Sequence, residues 1–269
     1  MTRKLDTFRQ LHAAQSPLLL PNAWDAGSAR LFESLGAKAI ATTSAGVAWA
    51  LGYPDGSRLP ADAAVAHATN IARVLEVPLS VDLEDGYSDD ARQVAQTVLR
   101  LVDAGVVGIN LEDGAKPPEL LAAKIRAIKE AAAKRGADIF INARTDVFLA
   151  GLAEKPAMVD ETLRRAALYA KAGADGLFVP AVVAAGQIKA IAQAITLPLN
   201  VLAWNGLPSA AELAGLGVRR LSAGSGIAQV LWGRAEALAK GFLQEGKSEA
   251  LEGQMPYPQL QALFQQRPA

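Results

Sequence analysis

The sequence predicts an α/β protein, a (β/α)8 barrel, on three observations. First, 269 residues are long for an ordinary single domain but suit one α/β barrel, which commonly runs to about 250 residues. Second, one junction recurs five times, in "SLGAKAIATT", "DAGVVGINLE", "KRGADIFINAR", "KAGADGLFVP" and "GLGVRRLSA". In each, a helical pattern ends beside a Gly able to take the left-handed C-cap, and a β-rich run follows within a residue or two. Runs of this kind read as parallel strands buried on both faces. Third, strand-like and helical runs alternate eight times, the count of a TIM barrel. A doubly wound open sheet is the alternative, and the even βα spacing disfavours it.

In order, an N-terminal helix over about residues 1–16 precedes a strand at Leu18–Pro21 and a helix at Ala26–Leu35, which Gly36 ends. A strand at Ala39–Thr43, a helix at Ala61–Leu75 and a strand at Leu79–Asp82 follow. The helix at Asp89–Ala104 stops at Gly105 and yields to a strand at Val107–Leu111; Pro117 and Pro118 then lead into a helix to Lys134. Next come a strand at Ile139–Ala143, a helix at Val159–Ala172 closed by Gly173, a strand at Gly176–Val179 and a helix at Val183–Ala194. A strand at Leu199–Leu202, a helix at Ser209–Leu216 with Gly217 behind it and a strand at Arg219–Leu221 complete the count. A helical segment over about 225–269 ends the single predicted domain, 1–269.

Composition narrows the function classes. Apolar residues at 51% and charged ones at 20% build a large core and argue against disorder. The 27 basic residues balance 27 acidic ones without a basic run, so no nucleic-acid partner and no anionic membrane surface is expected. The absence of cysteine excludes disulfides, thiolate metal sites and a Cys nucleophile, and leaves the redox compartment open. "MTRKLDTFRQLHAAQ" has no apolar core with a cleavage site, and no run reaches about 18 apolar residues. A cytoplasmic protein is expected.

In a barrel the chemistry sits where the strands end, and the strand ends here are charged. Side chains alternate along a strand. If Val81 and Leu83 face the helices, Asp82 and Glu84 face the axis. In "GINLEDG" the same rule sends Asn110 and Glu112 inward, and "INARTD" places Asn142 and Arg144 on one parity. Oxygen ligands on rigid strands suit a hard divalent cation, and magnesium takes one or two carboxylates directly while keeping several waters. Asp82 is the expected direct ligand, Glu84 and Glu112 hold metal-bound waters, and Arg144 binds a ligand carboxylate or neutralises developing charge. The alternative is that these acids pair with Arg144 and surface lysines and solvate the rim.

After the second strand, Ser44, Ala45 and Gly46 offer backbone N–H groups as an anion cradle, while "GYPDG" at Gly52–Gly56 is equally a plain turn. "SAGSG" at Ser222–Gly226 suits a phosphate or a helix start capped by Ser225. Asp85 reads as a turn or capping acid, and Asp89 and Asp90 as starting the next helix. His67 lies in a helical pattern and His12 in the N-terminal segment, so neither serves as catalytic base.

The stretches "NAWDAGSARLFESLGAKAIATTSAGVAWALGYPDG", "VDLEDGY", "INLEDG" and "INARTDVFLAG" resemble, in order and spacing, the isocitrate lyase and phosphoenolpyruvate mutase superfamily over about residues 21–202. That resemblance implies a magnesium-dependent barrel, with Mn2+ as a substitute, that makes or breaks C–C or C–P bonds beside the carbonyl of a 2-oxo acid through an enolate. It assigns carboxylate binding to Ser44–Val47, a catalytic part to Asp55, Glu112 and Arg144, metal roles to Asp82, Glu84 and Glu112, and substrate contact to Trp24 and Asn142. It also implies a homodimer or homotetramer whose C-terminal helix is swapped between subunits. The chain departs from the isocitrate-cleaving lyases: "EDGAKPPELLAAKI" has neither the Cys nor the His of their mobile loop, and Pro180 stands where they carry Glu. The expected reaction is therefore a carbon–carbon lyase step on a small 2-oxo acid or dicarboxylate, of the oxaloacetate decarboxylase kind. The alternatives are C–P chemistry of the phosphoenolpyruvate or phosphonopyruvate type and a 2-oxo-acid-binding barrel with little turnover.

Overall fold

The computed structural model describes residues 2–246 and 251–265. Its strands are β1 (Leu18–Leu20), β2 (Asn22–Ala23), β3 (Ile40–Thr42), β4 (Leu79–Asp82), β5 (Gly108–Glu112), β6 (Phe140–Arg144), β7 (Gly176–Val179), β8 (Leu199–Leu202) and β9 (Val218–Ser222). The helices are α1 (Thr2–Ala13), α2 (Ala26–Ser34), α3 (Ser44–Ala50), α4 (Ala61–Ala72), α5 (Ala91–Asp103), α6 (Pro118–Lys134), α7 (Met158–Ala172), α8 (Ala185–Ala194), α9 (Ala210–Leu216), α10 (Gly226–Glu245) and α11 (Tyr257–Gln265).

All strands pair in parallel, in the order β1, β9, β8, β7, β6, β5, β4, β3, β2. β1 and β2 share one strand position. Pro21 between them has no N–H for the ladder, so β1 pairs with β9, β2 with β3, and the ring closes. The expected α/β barrel of parallel strands is observed. At all five recurrent junctions the Gly takes a left-handed φ: Gly36 +92°, Gly105 +89°, Gly136 +63°, Gly173 +105° and Gly217 +96°.

Two local expectations are corrected. The Ser44–Gly46 stretch is the first turn of α3, because the Thr43 side chain caps Gly46 N–H. Ser225 makes no side-chain cap for α10; its hydroxyl instead accepts from Gln229 Nε2 at 3.0 Å. Asp90 does cap α5 through Arg92 N–H, as the acidic start of that helix leads one to expect. His67, half-buried on α4, is held to Trp24 O at 2.7 Å.

Between ring and helices lies a continuous apolar layer in which Val81, Ile109, Ile141, Leu177 and Val201 meet the helices. α5 buries Val94, Val98, Leu101 and Val102, four positions on one helical stripe, each stabilising by roughly 1.5–3 kcal/mol. Inside the ring, α1 closes the amino-terminal end. Phe8 packs with Leu18, Leu20, Ala39, Ala41, Val107 and Phe140. A Cβ on Gly108 would come within 2.7 Å of Phe8, so only Gly at that position admits the plug. Among the described residues no helix is long and apolar enough to cross a membrane.

His12 stacks on Phe140 with ring centroids 4.4 Å apart and contacts Phe8 O through Nδ1 at 2.8 Å. A carbonyl only accepts, so Nδ1 carries a proton, while the ring's buried Nε2 has no hydrogen-bond partner among the described residues. Burial, with the Arg220 charge nearby, pushes its pKa down to about 3. Between that value and the ordinary 6.5 the unfolded chain binds a proton that the native state refuses, so stability falls as pH drops through this window. Unfolding by urea at pH 7 and pH 5 is expected to show the loss, and His12→Phe to flatten the slope.

Candidate active site

The carboxyl ends of β3 to β6 carry the acids. Asp82 ends β4, and its backbone N–H donates to Thr42 Oγ1 at 2.8 Å. Its carboxylate accepts the Ser44 N–H at 3.1 Å and touches Asn110 Nδ2 at 3.5 Å. Asp82 thus has neutral hydrogen-bond partners at the first turn of α3. The β4–β5 register sets Asp82 beside Asn110, and β5–β6 sets Asn110 beside Asn142 and Glu112 beside Arg144.

Glu84 corrects a parity expectation. β4 ends at Asp82 and Glu84 adopts φ +51°, so strand alternation does not govern it. Its buried carboxylate accepts the Ser57 N–H. Burial raises its pKa; the Ser57 contact opposes the rise, and Asp82 and Asp55 reinforce it. Asp85 turns the other way, accepting from Tyr87 N at 2.9 Å, Ser57 Oγ at 2.8 Å and Lys116 Nζ at 2.8 Å. Together Glu84 and Asp85 anchor the loop that carries Asp55. Ser57, Glu84 and Tyr87 all sit at positive φ without being Gly, strain that clusters where surrounding contacts impose it. Asp55 is exposed on that loop; partial burial and the Asp82 charge raise its pKa, against contacts to Gly56, Arg144 and Ser44.

Arg144, at the end of β6, joins the next group. It pairs with Glu112 at 2.7 Å and in bidentate fashion with Asp146 at 2.7 and 3.0 Å, and its guanidinium lies 5.9 Å from the Phe178 ring. Burial opposes its charge, yet Glu112 and Asp146 hold its pKa above the usual value. Burial pushes Glu112 up to about 8; Arg144 opposes this, while Asp82, Asp146 and Glu84 add to it. Behind Asp146 stands Asp113, which accepts from Asp146 N at 2.9 Å, Arg165 Nη1 at 2.8 Å and Tyr169 OH at 2.5 Å.

These groups surround a cavity of about 180 Å3 whose polar side includes Ser44, Asp55, Asp82, Asn110, Arg144 and Ser222. A cavity of this volume is on the scale of a small organic acid. Its apolar lining is Ala45, Leu149, Phe178, Pro180 and Leu202, with Trp204. All candidate cation ligands are carboxylate oxygens, which suit a hard cation. Among the described residues no three acidic or imidazole groups converge to wrap an ion directly, so the arrangement suits one direct carboxylate and water-mediated others.

Of the residues expected at the site, Ser44, Ala45, Asp55, Asp82 and Arg144 line the cavity; Glu112 stands behind Arg144, and Glu84 is buried on Ser57 N–H, near enough for Asp82 and Asp55 to act on its charge. Three fall elsewhere. Trp24 packs on Phe32 and against Gly46, where an added Cβ would meet it at 2.9 Å, so it backs α3. Gly46 spends its N–H on the Thr43 cap. Asn142 is buried lower in the ring, donating to Asn110 Oδ1 at 2.9 Å. Sequence reading missed Asp113 and Asp146, although the "EDG" and "RTD" stretches contain them. It also missed the apolar wall, which comes largely from loops.

The phosphoenolpyruvate phosphomutase family model matches residues 8–243. An uncharacterised Mycobacterium tuberculosis protein is 39% identical over 95% of each chain. An oxaloacetate decarboxylase of Pseudomonas fluorescens is 33% identical, covering 82% of this chain and 78% of its own. A solved structure of a Burkholderia cenocepacia protein, 42% identical, has a TM-score of 0.84 over 88% of this chain and 99% of that one.

Proposed function

Because the chain belongs to the phosphoenolpyruvate mutase and isocitrate lyase superfamily, whose members include lyases, decarboxylases and mutases of 2-oxo acids, we propose that it is a magnesium-dependent carbon–carbon lyase of a small 2-oxo acid or dicarboxylate, of the oxaloacetate decarboxylase kind. The charge of the cavity supports this choice. Among the described residues Arg144 is the only cation lining it, and Glu112 and Asp146 already pair with it. A phosphoryl group in transfer spreads charge over three oxygens and calls for cationic clamps, so C–P chemistry is poorly served. A leaving carboxylate beside the apolar lining of Leu149, Pro180, Leu202 and Trp204 departs as neutral CO2, which needs no cationic clamp.

The acid cluster fits magnesium or manganese. Asp82 would hold the ion, with Glu84 and Glu112 acting through water; when bound, it supplies a Lewis acid for the 2-oxo group. The chain supplies the rest. The Ser44 N–H is held by Asp82, so the start of α3 meets the substrate carboxylate with the Ser44 hydroxyl, the Ala45 N–H and the positive end of a helix dipole. Arg144 offsets charge that develops on the 2-oxo oxygen. Asp55, whose pKa is raised by partial burial and the Asp82 charge, is the group placed to return a proton to the carbon that the carboxylate leaves.

Oxaloacetate turnover that depends on added magnesium and stops with a chelator is the expected result. Tight magnesium-dependent binding of 2-oxo acids without product would instead favour a binding barrel.

The expected swapped assembly is supported by two complementary surfaces. Among the described residues no helix covers β1: Leu19 is 55% exposed beside an apolar groove of about 610 Å3 formed with Leu11, Phe32, Leu35 and Ile227. α10, which should cover it, leaves Trp232 55% and Leu243 82% exposed. A second copy's α10 would bury both. Light scattering is expected to give at least twice the chain mass, and Trp232→Asp with Phe242→Asp to give monomer.

A further inference from the structure

Arg220 of β9 lies wholly buried in the middle of the ring, beneath the cavity, and forms no ion pair among the described residues. An isolated buried cation is costly, and an apolar side chain of similar volume commonly folds as well or better. Its hydrogen bonds give a reason for its presence. Nη2 donates to Asn110 Oδ1 at 3.2 Å and Nε to Ser222 Oγ at 3.2 Å. A guanidinium has five donors and no acceptor, so the Asn110 atom it meets must be the carbonyl oxygen. Asn142 Nδ2 donates to that same oxygen, and the Asn110 NH2 group is left facing Asp82 Oδ1. Likewise the Ser222 hydroxyl, accepting from Arg220, donates to Asn200 Oδ1 at 3.2 Å. One donor-only group thus sets the direction of two hydrogen-bond chains, both with members that line the cavity.

We propose that Arg220 is a positioning residue for Asp82: by donating to Asn110 Oδ1 it turns the Asn110 NH2 toward the Asp82 carboxylate and fixes which lone pairs point into the mouth. This rests on the reading of Asp82 as the carboxylate that holds magnesium. The probe is magnesium alone, titrated calorimetrically into the full chain. Arg220→Met is expected to weaken magnesium binding about tenfold or more, the usual effect of losing a group behind a ligand, while the melting temperature stays level or rises. Arg220→Lys, which can still donate to Asn110, restores part of the affinity. The double variant with Asn110→Leu binds no more weakly than Asn110→Leu alone. Tighter binding in Arg220→Met would overturn the proposal, since Arg220 would then act only as a repelling charge; additive losses in the double variant would do so too. A crystal structure of Arg220→Met decides independently: an Asn110 side chain rotated away from Asp82 supports the proposal, and an unmoved one sinks it. Failure of the wild-type chain to bind magnesium would overturn the functional reading, and that crystal structure would still judge the role of Arg220.

Discussion

Asp82→Ala is expected to lower magnesium-dependent turnover by on the order of a thousandfold or more and to remove magnesium binding with it. A metal ion's charge stabilisation is worth several kcal/mol, and each 1.4 kcal/mol is about tenfold in rate. A thermal scan reads stability alongside, because the Asp82 carboxylate accepts from the Ser44 N–H and the Asn110 amide and its charge acts on the buried Arg220. Asp82→Asn separates charge from shape: it retains a side-chain oxygen for Ser44 N–H but loses the anion. Equal losses in both variants, measured by steady-state kinetics and calorimetry, would locate the effect in the charge. Turnover unchanged under saturating magnesium would sink the assignment.

Asp113→Ala is expected to be the most destabilising single change near the site. Asp113 is 2% exposed and accepts three hydrogen bonds, from Asp146 N–H, Arg165 and Tyr169. Removing one partner of a buried ion pair costs about 3–5 kcal/mol, because the other charge stays behind; Glu161 compensates Arg165 only in part. At about 2–4 °C per kcal/mol for a chain somewhat shorter than this one, the melting temperature should fall by roughly 10 °C in a circular dichroism scan. Activity should fall as well at temperatures where the variant is folded, since Asp113 fixes Asp146 and Asp146 holds Arg144.

The parts of this molecule legible in sequence are those that local chemistry sets. The Gly junctions announced five helix ends because left-handed backbone is costly for other residues, and period-two alternation placed Asp82, Asn110 and Arg144 correctly while the chain remained a strand. Glu84 escaped the same rule because the strand had ended two residues before it. Asp113 sits on the outward parity, where no pattern tells a solvated acid from one buried under Arg165 and Tyr169. In "GVRRLSA" Arg219 and Arg220 look alike, yet one is partly exposed and the other wholly enclosed. That difference arises only when β9 closes against β1, a contact between distant residues. Trp24 has the chemistry of a ligand-stacking ring, but the space beside Gly46 claims it for packing.

The plug formed by α1 has a consequence for how the chain reaches this structure. α1 and β1 have partners far along the chain: Phe8 docks on Phe140, and β1 finds its ladder only when Leu18 meets Arg220. Pairings between distant residues are slow to form. β1 must therefore wait for its ladder partner until β9 has been made, and ring closure is expected to be a late event in the synthesis of this protein.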